Sequence, residues 1–204
     1  MFKPDNIEND FFTRLSFKTD PSLLKPGAVL ISEPFLPDPN FSRTVVLLTA
    51  FDGDEGAFGF ILNRPLGVSI SSLFEDVSRD EFELYFGGPV NPEALFYLHT
   101  LGDLIDDAKP LFDNLFWGGD FDTLKSMLQM GKLSPSDIRF FSGYSGWSPG
   151  QLEAELEEGS WIIGELKPEQ IFSIESTQLW KTSLKQLGNK FSIMAGFPEN
   201  PGWN

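Results

Sequence analysis

The chain has 204 residues, of which 41% are hydrophobic and 22% charged, and this balance predicts one globular domain with a buried core. It contains no cysteine, which excludes disulfide bonds, zinc–thiolate centres and cysteine nucleophiles. Thirty acidic residues against 15 basic ones give a formal net charge of −15, and a surface of that sign repels nucleic-acid phosphates. Direct nucleic-acid binding is therefore not expected.

The first 26 residues differ from the rest of the chain. They are mostly polar and contain Pro4, Pro21 and Pro26, so they predict an N-terminal arm (residues 1–26) ahead of a single domain over residues 27–204. The N-terminus lacks the apolar segment of a secretory signal, and apolar runs elsewhere are too short to cross a bilayer. We therefore expect a cytoplasmic protein that does not contact a membrane.

Apolar, β-branched runs predict three strands at the start of the core, over residues 28–33, 43–51 and 57–64. The turn "DGDEG" joins the last two, which predicts a hairpin. In chain order, a short helix is then predicted over 68–77, strands over 82–89, 94–100 and 114–119, a helix over 120–131, a strand over 138–144, a helix over 151–159, a strand over 161–166 and a helix over 177–188. Short turns favour antiparallel pairing, so the fold class is mixed α/β and α+β-like.

The stretch "GYSGW" (residues 143–147) is close to the glycine-flanked turn that presents a serine nucleophile in many hydrolases. Trp147 stands where that turn requires glycine, so a sharp structural turn is favoured for Ser145. His99 is the only histidine of the sequence and lies in an apolar strand, which is typical of a hydrogen-bonded structural imidazole. Residues 148–151, "SPGQ", directly follow "GYSGW" and fit a capping box with Ser148 as the N-cap. The sequence thus assigns no catalytic residue.

Patterns for metals and cofactors are equally incomplete. The segment "DGDEG" resembles the start of a calcium loop, but Asn63 stands at the twelfth position, where that loop requires glutamate. The glycine patterns of phosphate-binding and dinucleotide-binding loops do not occur. The sequence therefore predicts no bound metal and no cofactor.

Two arginines, Arg43 and Arg64, stand out because cations are scarce. Arg64 follows an apolar strand, where a guanidinium could bind a carboxylate or phosphate of a ligand, or could pair with an acid inside the fold. Glycine turns at residues 87–91 and 143–147 could offer backbone N–H groups to an anion, or could simply be tight turns. Our hypothesis places both turns beside Arg64 in one cleft. Its candidate ligand-binding residues are Arg43, Asn63, Arg64, Gly87, Gly88, Asn91, Gly143 and Trp147.

Five separated stretches resemble the bacterial YqgE/AlgH family in order and spacing, over residues 27–188. They are "LISEPFLPDPNFSRTVVLLTAF", "GAFGFILNRP", "YFGGPVNPEALFYLHT", "GYSGWSPGQLEAEL" and the last helix with its tryptophan. The resemblance implies a single domain with a bifurcated mixed and antiparallel sheet, a small barrel-like portion and surrounding helices. It carries over no catalytic residue. The family often has a histidine after the long central strand, where this chain has Phe51.

The resemblance and the residues together lead us to expect a non-enzymatic binding or regulatory protein. Its partner would be another protein or a small anionic ligand. Family members are often labelled transcriptional regulators, a role that would have to be indirect because the charge opposes DNA binding. The alternative is an enzyme that holds a small anionic substrate with Arg64 and moves a proton with His99 or an acid.

Overall fold

The computed structural model describes residues 19–74, 76–77 and 80–198, so the first 18 residues of the predicted arm lie outside the described part. The described chain forms a mixed α/β domain. Its strands are β1 Val29–Ser32, β2 Val45–Asp52, β3 Gly56–Ile61, β4 Pro65–Ser69, β5 Glu83–Phe86, β6 Val90–His99, β7 Lys109–Phe112, β8 Leu115–Trp117, β9 Ile138–Trp147 and β10 Trp161–Gly164. Its α-helices are α1 Phe121–Gln129, α2 Gln151–Glu157, α3 Pro168–Ser173, α4 Ser176–Gln186 and α5 Asn189–Met194.

Strand β9 is the point at which the sheet forks. The main path of paired strands runs β10-β1-β2-β3-β9-β6-β8-β7, and β4 and β5 form a side branch. The end of β9 pairs with β3, whereas its first half lies between β6, which is antiparallel to it, and β5, which is parallel. This arrangement confirms the bifurcated mixed and antiparallel sheet.

The sheet also curls. A Cβ atom built on Gly27, just before β1, would lie only 2.7 Å from Cδ1 of Phe112 on β7, although β7 ends the opposite side of the path. Phe112 and β1 residue Val29 pack in the same apolar cluster, which α4 and α5 close with Trp180 and Met194. The curled strands therefore enclose a core of their own, as a barrel-like portion would.

A left-handed residue in β9 decides which side chains face this core. Strict alternation would place Phe141 and Tyr144 on opposite faces of the strand. Gly143 has φ 67°, and the pairing of β6 with β9 shifts register at this place, so both rings pack in the same cluster. The other side of the sheet packs separately against α2, with Trp147, and against α1.

Two predictions about helices are wrong. The helix expected over residues 68–77 is replaced by the end of β4 and a single 3-10 turn, Ile70–Ser72. There the backbone N–H of Ile70 bonds to the carbonyl oxygen of Phe82 at 2.9 Å, so pairing with the chain before β5 prevails over a helix. Helix α2 has Gly150 rather than Ser148 as its N-cap, and only the bond from Ser148 N–H to Gln151 Oε1 (3.1 Å) of the expected box forms.

Candidate functional site

The guanidinium group of Arg64 is bound to the main chain. Its Nη2 donates to the carbonyl oxygens of Pro39 (3.1 Å) and Ser42 (2.9 Å), in the loop before β2. Burial lowers the pKa of Arg64, and the nearby carboxylate of Asp38 partly opposes that effect. The side chain thus joins the exit of β3 to a neighbouring loop.

Arg43 and Asn63 are bound to the main chain in the same way. Nη2 of Arg43 donates to the carbonyl oxygens of Phe197 (2.7 Å) and Pro198 (2.6 Å), so it holds the segment after α5. The Asn63 side chain accepts from Val45 N–H and donates to the Arg43 carbonyl oxygen, both at 2.9 Å. Both side chains therefore have structural partners, and a ligand-binding role for them remains a prediction.

The two glycine segments do lie together. Gly87 N–H donates to the carbonyl oxygen of Ser142 at 2.9 Å, and a Cβ atom on Gly88 would overlap the main chain of Tyr144. Ser145 Oγ is fully buried and donates to the Gly87 carbonyl oxygen at 3.0 Å. The sharp turn expected at residues 143–147 is wrong, because this segment is the second half of β9. Ser145 is therefore a buried strand residue that contacts the glycine segment.

The remaining candidates, Asn91 and Trp147, differ in exposure. Asn91 is exposed at the start of β6 in a left-handed conformation, with φ 49°. Trp147 is buried, and its indole N–H donates to Glu155 Oε2 at 2.9 Å. The same oxygen accepts from the Trp161 indole at 2.7 Å, so α2 is tied to two strands.

A cleft of about 520 Å³ opens beside these residues, where the β2–β3 hairpin meets the start of β6 and the end of β9. Phe58 and Tyr144 line it, with ring centroids 4.5 Å apart, and Trp147 and Val90 complete the apolar part. Of the eight predicted ligand-binding residues, Trp147 is the one found among the described residues that line this cleft. The structure thus brings the glycine segments together but leaves the Arg64 guanidinium outside the cleft.

The charge of the cleft comes from the hairpin turn. Asp52 and Glu55 line it, and none of the described lining residues is basic. Asp52 Oδ1 accepts from the backbone N–H groups of Asp54 (2.8 Å) and Glu55 (3.2 Å), which fixes the turn that carries both carboxylates. Phe51, at the position where the resembling family often has histidine, also lines the cleft.

The candidate residues predicted from the sequence do not include most of these, because "DGDEG" matches the start of a metal loop and no sequence pattern indicates a cleft wall. The usable signal was local: an acidic turn between two predicted paired strands. The sequence does not show that Tyr144 lies beside the hairpin, because Tyr144 belongs to a strand some ninety residues further along the chain.

His99 is confirmed as a structural histidine. Its Nε2 lies 3.0 Å from the Gly118 carbonyl oxygen and its Nδ1 accepts from Leu101 N–H at 3.3 Å, which assigns the proton to Nε2. The ring is fully buried between Tyr97 and Phe116, with centroids 5.9 and 5.8 Å away. Burial lowers its pKa. Both nitrogens are thus occupied by structural partners, and the enzyme hypothesis, which names His99 or an acid as the proton carrier, stays a prediction.

A further arginine, Arg139, was not singled out from the sequence. It is buried in β9, where Nη1 donates to the Leu62 carbonyl oxygen at 2.9 Å and the guanidinium carbon lies 4.4 Å from the centroid of the Tyr85 ring. Burial lowers its pKa, while Tyr85 and Glu83 act in the opposite direction. Ser176 Oγ donates to the Tyr85 hydroxyl at 3.2 Å, so the group links β5 and β9 to the start of α4. The signal was a charged residue inside the apolar run "IRFF".

The described residues contain no group of three or more histidine, aspartate or glutamate side chains that could hold a metal ion. In the same part of the chain, every helix is too short or too polar to cross a membrane.

The profile of the family described as AlgH-like matches residues 29–192, well over half of the chain. The chain belongs to the AlgH-like family. This result confirms the resemblance to the YqgE/AlgH family that the five sequence stretches carry.

Bacterial relatives match over nearly their whole length. UPF0301 protein CT0663 of Chlorobaculum tepidum is 42% identical over 182 residues, which cover 89% of this chain and 97% of the relative. A UPF0301 protein of Cytophaga hutchinsonii is 40% identical over 183 residues and is covered completely. These names state no activity, so membership in the AlgH-like family places the chain without assigning a reaction.

Two solved structures share the fold. The AlgH protein of Pseudomonas aeruginosa is 26% identical, with a TM-score of 0.68, and the match covers 89% of this chain and 98% of that protein. Protein DIP2367 of Corynebacterium diphtheriae has a TM-score of 0.73 at 21% identity, with 91% of this chain and 97% of that one covered. The forked sheet described above is therefore an AlgH-like fold.

Proposed function

We propose that this AlgH-like protein is a non-enzymatic, cytoplasmic binding protein, and that the cleft between the β2–β3 hairpin and β9 is its ligand site. The observation that carries the proposal is the cleft itself. Its volume of about 520 Å³ lies within the range of small-ligand sites, roughly 300–1,000 Å³, and aromatic rings line it beside a few polar groups, as is typical of such sites.

The cleft is built on rigid elements, which favours selective binding. Phe58 on β3 is paired with Gly146 on the neighbouring strand β9. The Phe58 ring packs against Phe60, Phe96 and Tyr144. Gly56 lies so close to β9 that a Cβ atom there would overlap the Trp147 carbonyl oxygen. A site held by sheet pairing on several sides loses little entropy when a ligand binds.

The same geometry gives little support to an anionic ligand. The guanidinium groups of Arg43 and Arg64, on which an anion would depend, already bind main-chain carbonyl oxygens. The cleft itself carries the acids Asp52 and Glu55. A regulatory role would then follow from binding in this cleft, and the net charge of −15 makes contact with DNA through another protein more favourable than direct contact.

A cleft-filling variant tests the proposal. Ala50 is exposed and lines the cleft, so Ala50→Trp should fill it, while Met130→Trp places the same ring on an exposed position after α1. Each protein is purified gently from cells that naturally express the gene and weighed by native mass spectrometry. We expect a noncovalent ligand on the wild type and on Met130→Trp, and a loss of at least about tenfold in occupancy for Ala50→Trp.

Two results of native mass spectrometry would contradict the proposal. The same ligand at equal occupancy on Ala50→Trp would show that the cleft is not its site. A wild-type protein that carries no ligand, and that gains none when incubated with extract of the same cells, would count against the binding proposal as a whole.

A further inference from the structure

We infer that the cleft binds an organic cation, an ammonium or guanidinium group carried on an apolar stem. This inference rests on the proposed function and names the chemical class of its ligand. The groups that carry it are two carboxylates on the hairpin turn and the aromatic ring of Tyr144 on the neighbouring strand β9.

An aromatic ring supplies the first part of a cation site. Phe58 on β3 and Tyr144 on β9 lie 4.5 Å apart with an interplanar angle of 35°, and both rings remain partly accessible. The face of an aromatic ring is electrostatically negative and attracts ammonium and guanidinium groups. The Phe58 ring also packs against Trp117, with centroids 5.3 Å apart and an interplanar angle of 34°. Tyr144, which lies beside Val90 and Gly146, is therefore the ring that offers this surface in the cleft.

The carboxylates supply the second part. Asp52 ends β2 opposite Gly56, and Glu55 lies in the turn between them, so both acids stand on the hairpin end of the cleft. Because the described lining residues include no Lys or Arg, these charges are not neutralised from within the cleft. The net charge of −15 adds a long-range attraction for cations.

The apolar lining predicts the rest of the ligand. Ala50 and Val90 are exposed on the cleft wall, and they would contact a hydrocarbon stem while the charged end lies near Asp52 and Glu55. An anion of the same shape would meet two carboxylates and the negative face of the Tyr144 ring. The site therefore discriminates by charge as well as by shape.

Three probes with one stem test this discrimination. The ¹⁵N-labelled protein is titrated with hexylammonium, hexanoate and 1-hexanol, and the amide shifts of Ala57, Val90 and Gly146 are followed. We expect hexylammonium to move these amides at the lowest concentration and its affinity to fall when salt is raised. The peptide acetyl-Ala-Lys-Ala-amide is titrated in the same way. If it binds more tightly than hexylammonium, the ligand is a lysine side chain of a partner protein; if it binds more weakly, the ligand is a small amine.

Charge-neutral variants complete the experiment. The double variant D52N/E55Q keeps an acceptor oxygen for the turn and should weaken hexylammonium about fivefold to tenfold. The control D103N/D106N removes two exposed acids from another loop and should leave the affinity unchanged. Equal affinity in D52N/E55Q and wild type, or shifts by hexanoate or hexanol at equal or lower concentrations than hexylammonium, would overturn the inference. Native mass spectrometry tests the proposed function separately. If an uncharged or anionic ligand is bound to the wild type and lost from Ala50→Trp, the cleft is the ligand site but its preference for a cation is wrong.

Discussion

The imidazole of His99 shows how a single buried residue can make stability depend on pH. Its ring accepts from Leu101 N–H and donates to the Gly118 carbonyl oxygen, an arrangement that requires the neutral form. Burial lowers its pKa below the value of about 6.5 that it has in an unfolded chain. Protons therefore bind more tightly to the unfolded state.

The contribution of neutral His99 to stability is fully present above pH of about 6.5 and is lost as the pH falls from there toward the folded-state pKa. We expect the free energy of unfolding of the wild type to drop more between pH 7.5 and 5.5 than that of His99→Gln, by up to about 1.4 kcal/mol per pH unit. Urea titrations at both pH values measure this difference. Equal drops would contradict the prediction.

At the residue scale, the type of a side chain could be interpreted from sequence, but its partner could not. His99 was recognised because a lone imidazole in an apolar strand must satisfy both nitrogens. Arg43 and Arg64 are predicted ligand-binding residues because the carbonyl groups that they bind belong to segments that the sequence does not place near them. Every residue has a main-chain carbonyl group, so the sequence does not indicate which of these groups an arginine will bind.

At the scale of elements, the contact between the β5–β6 connection and β9 depends on glycine. A Cβ atom on Gly88 would overlap the main chain at Tyr144 and Ser145, where the backbone cannot move without breaking the pairing with β3 and β6. Gly150 provides a matched comparison, because it has φ 75° and open space around its Cα.

We therefore expect Gly88→Ala to destabilise the domain by more than about 3 kcal/mol, whereas Gly150→Ala should cost about 1 kcal/mol for its left-handed backbone alone. Urea unfolding followed by tryptophan fluorescence measures both. Equal stabilities of the two variants would show that the close approach at Gly88 is not required.

Predictions for elements succeeded where the pattern was local. Helix α1 begins after Asp120, whose Oδ2 accepts from Thr123 N–H at 2.8 Å, and left-handed Gly131 follows its end, both as expected. The helix expected over residues 68–77 failed because a backbone bond to Phe82, in a later segment, decides the conformation of Ile70. Pairing with a distant strand is not encoded in the local period.

At the scale of the whole molecule, the excess of 15 negative charges opposes binding to nucleic acid. Such binding needs clustered cations that release counterions from the phosphates. We expect a gel-shift assay with a mixed-sequence DNA duplex to show no complex at 50 mM salt and micromolar protein. A complex that weakens steeply between 50 and 200 mM salt would contradict this prediction and favour a direct regulator.

The sequence by itself determined the mixed α/β class, most of the strands and helices, the acidic surface and membership in the AlgH-like family. Those properties depend on composition, on local periodicity and on motifs that are continuous in the chain. Only the tertiary structure decided where β9 forks the sheet and which groups share the cleft. Asp52, Phe58, Val90 and Tyr144 come together there because strand pairing joins segments far apart in sequence, and such pairing depends on the whole packed sheet.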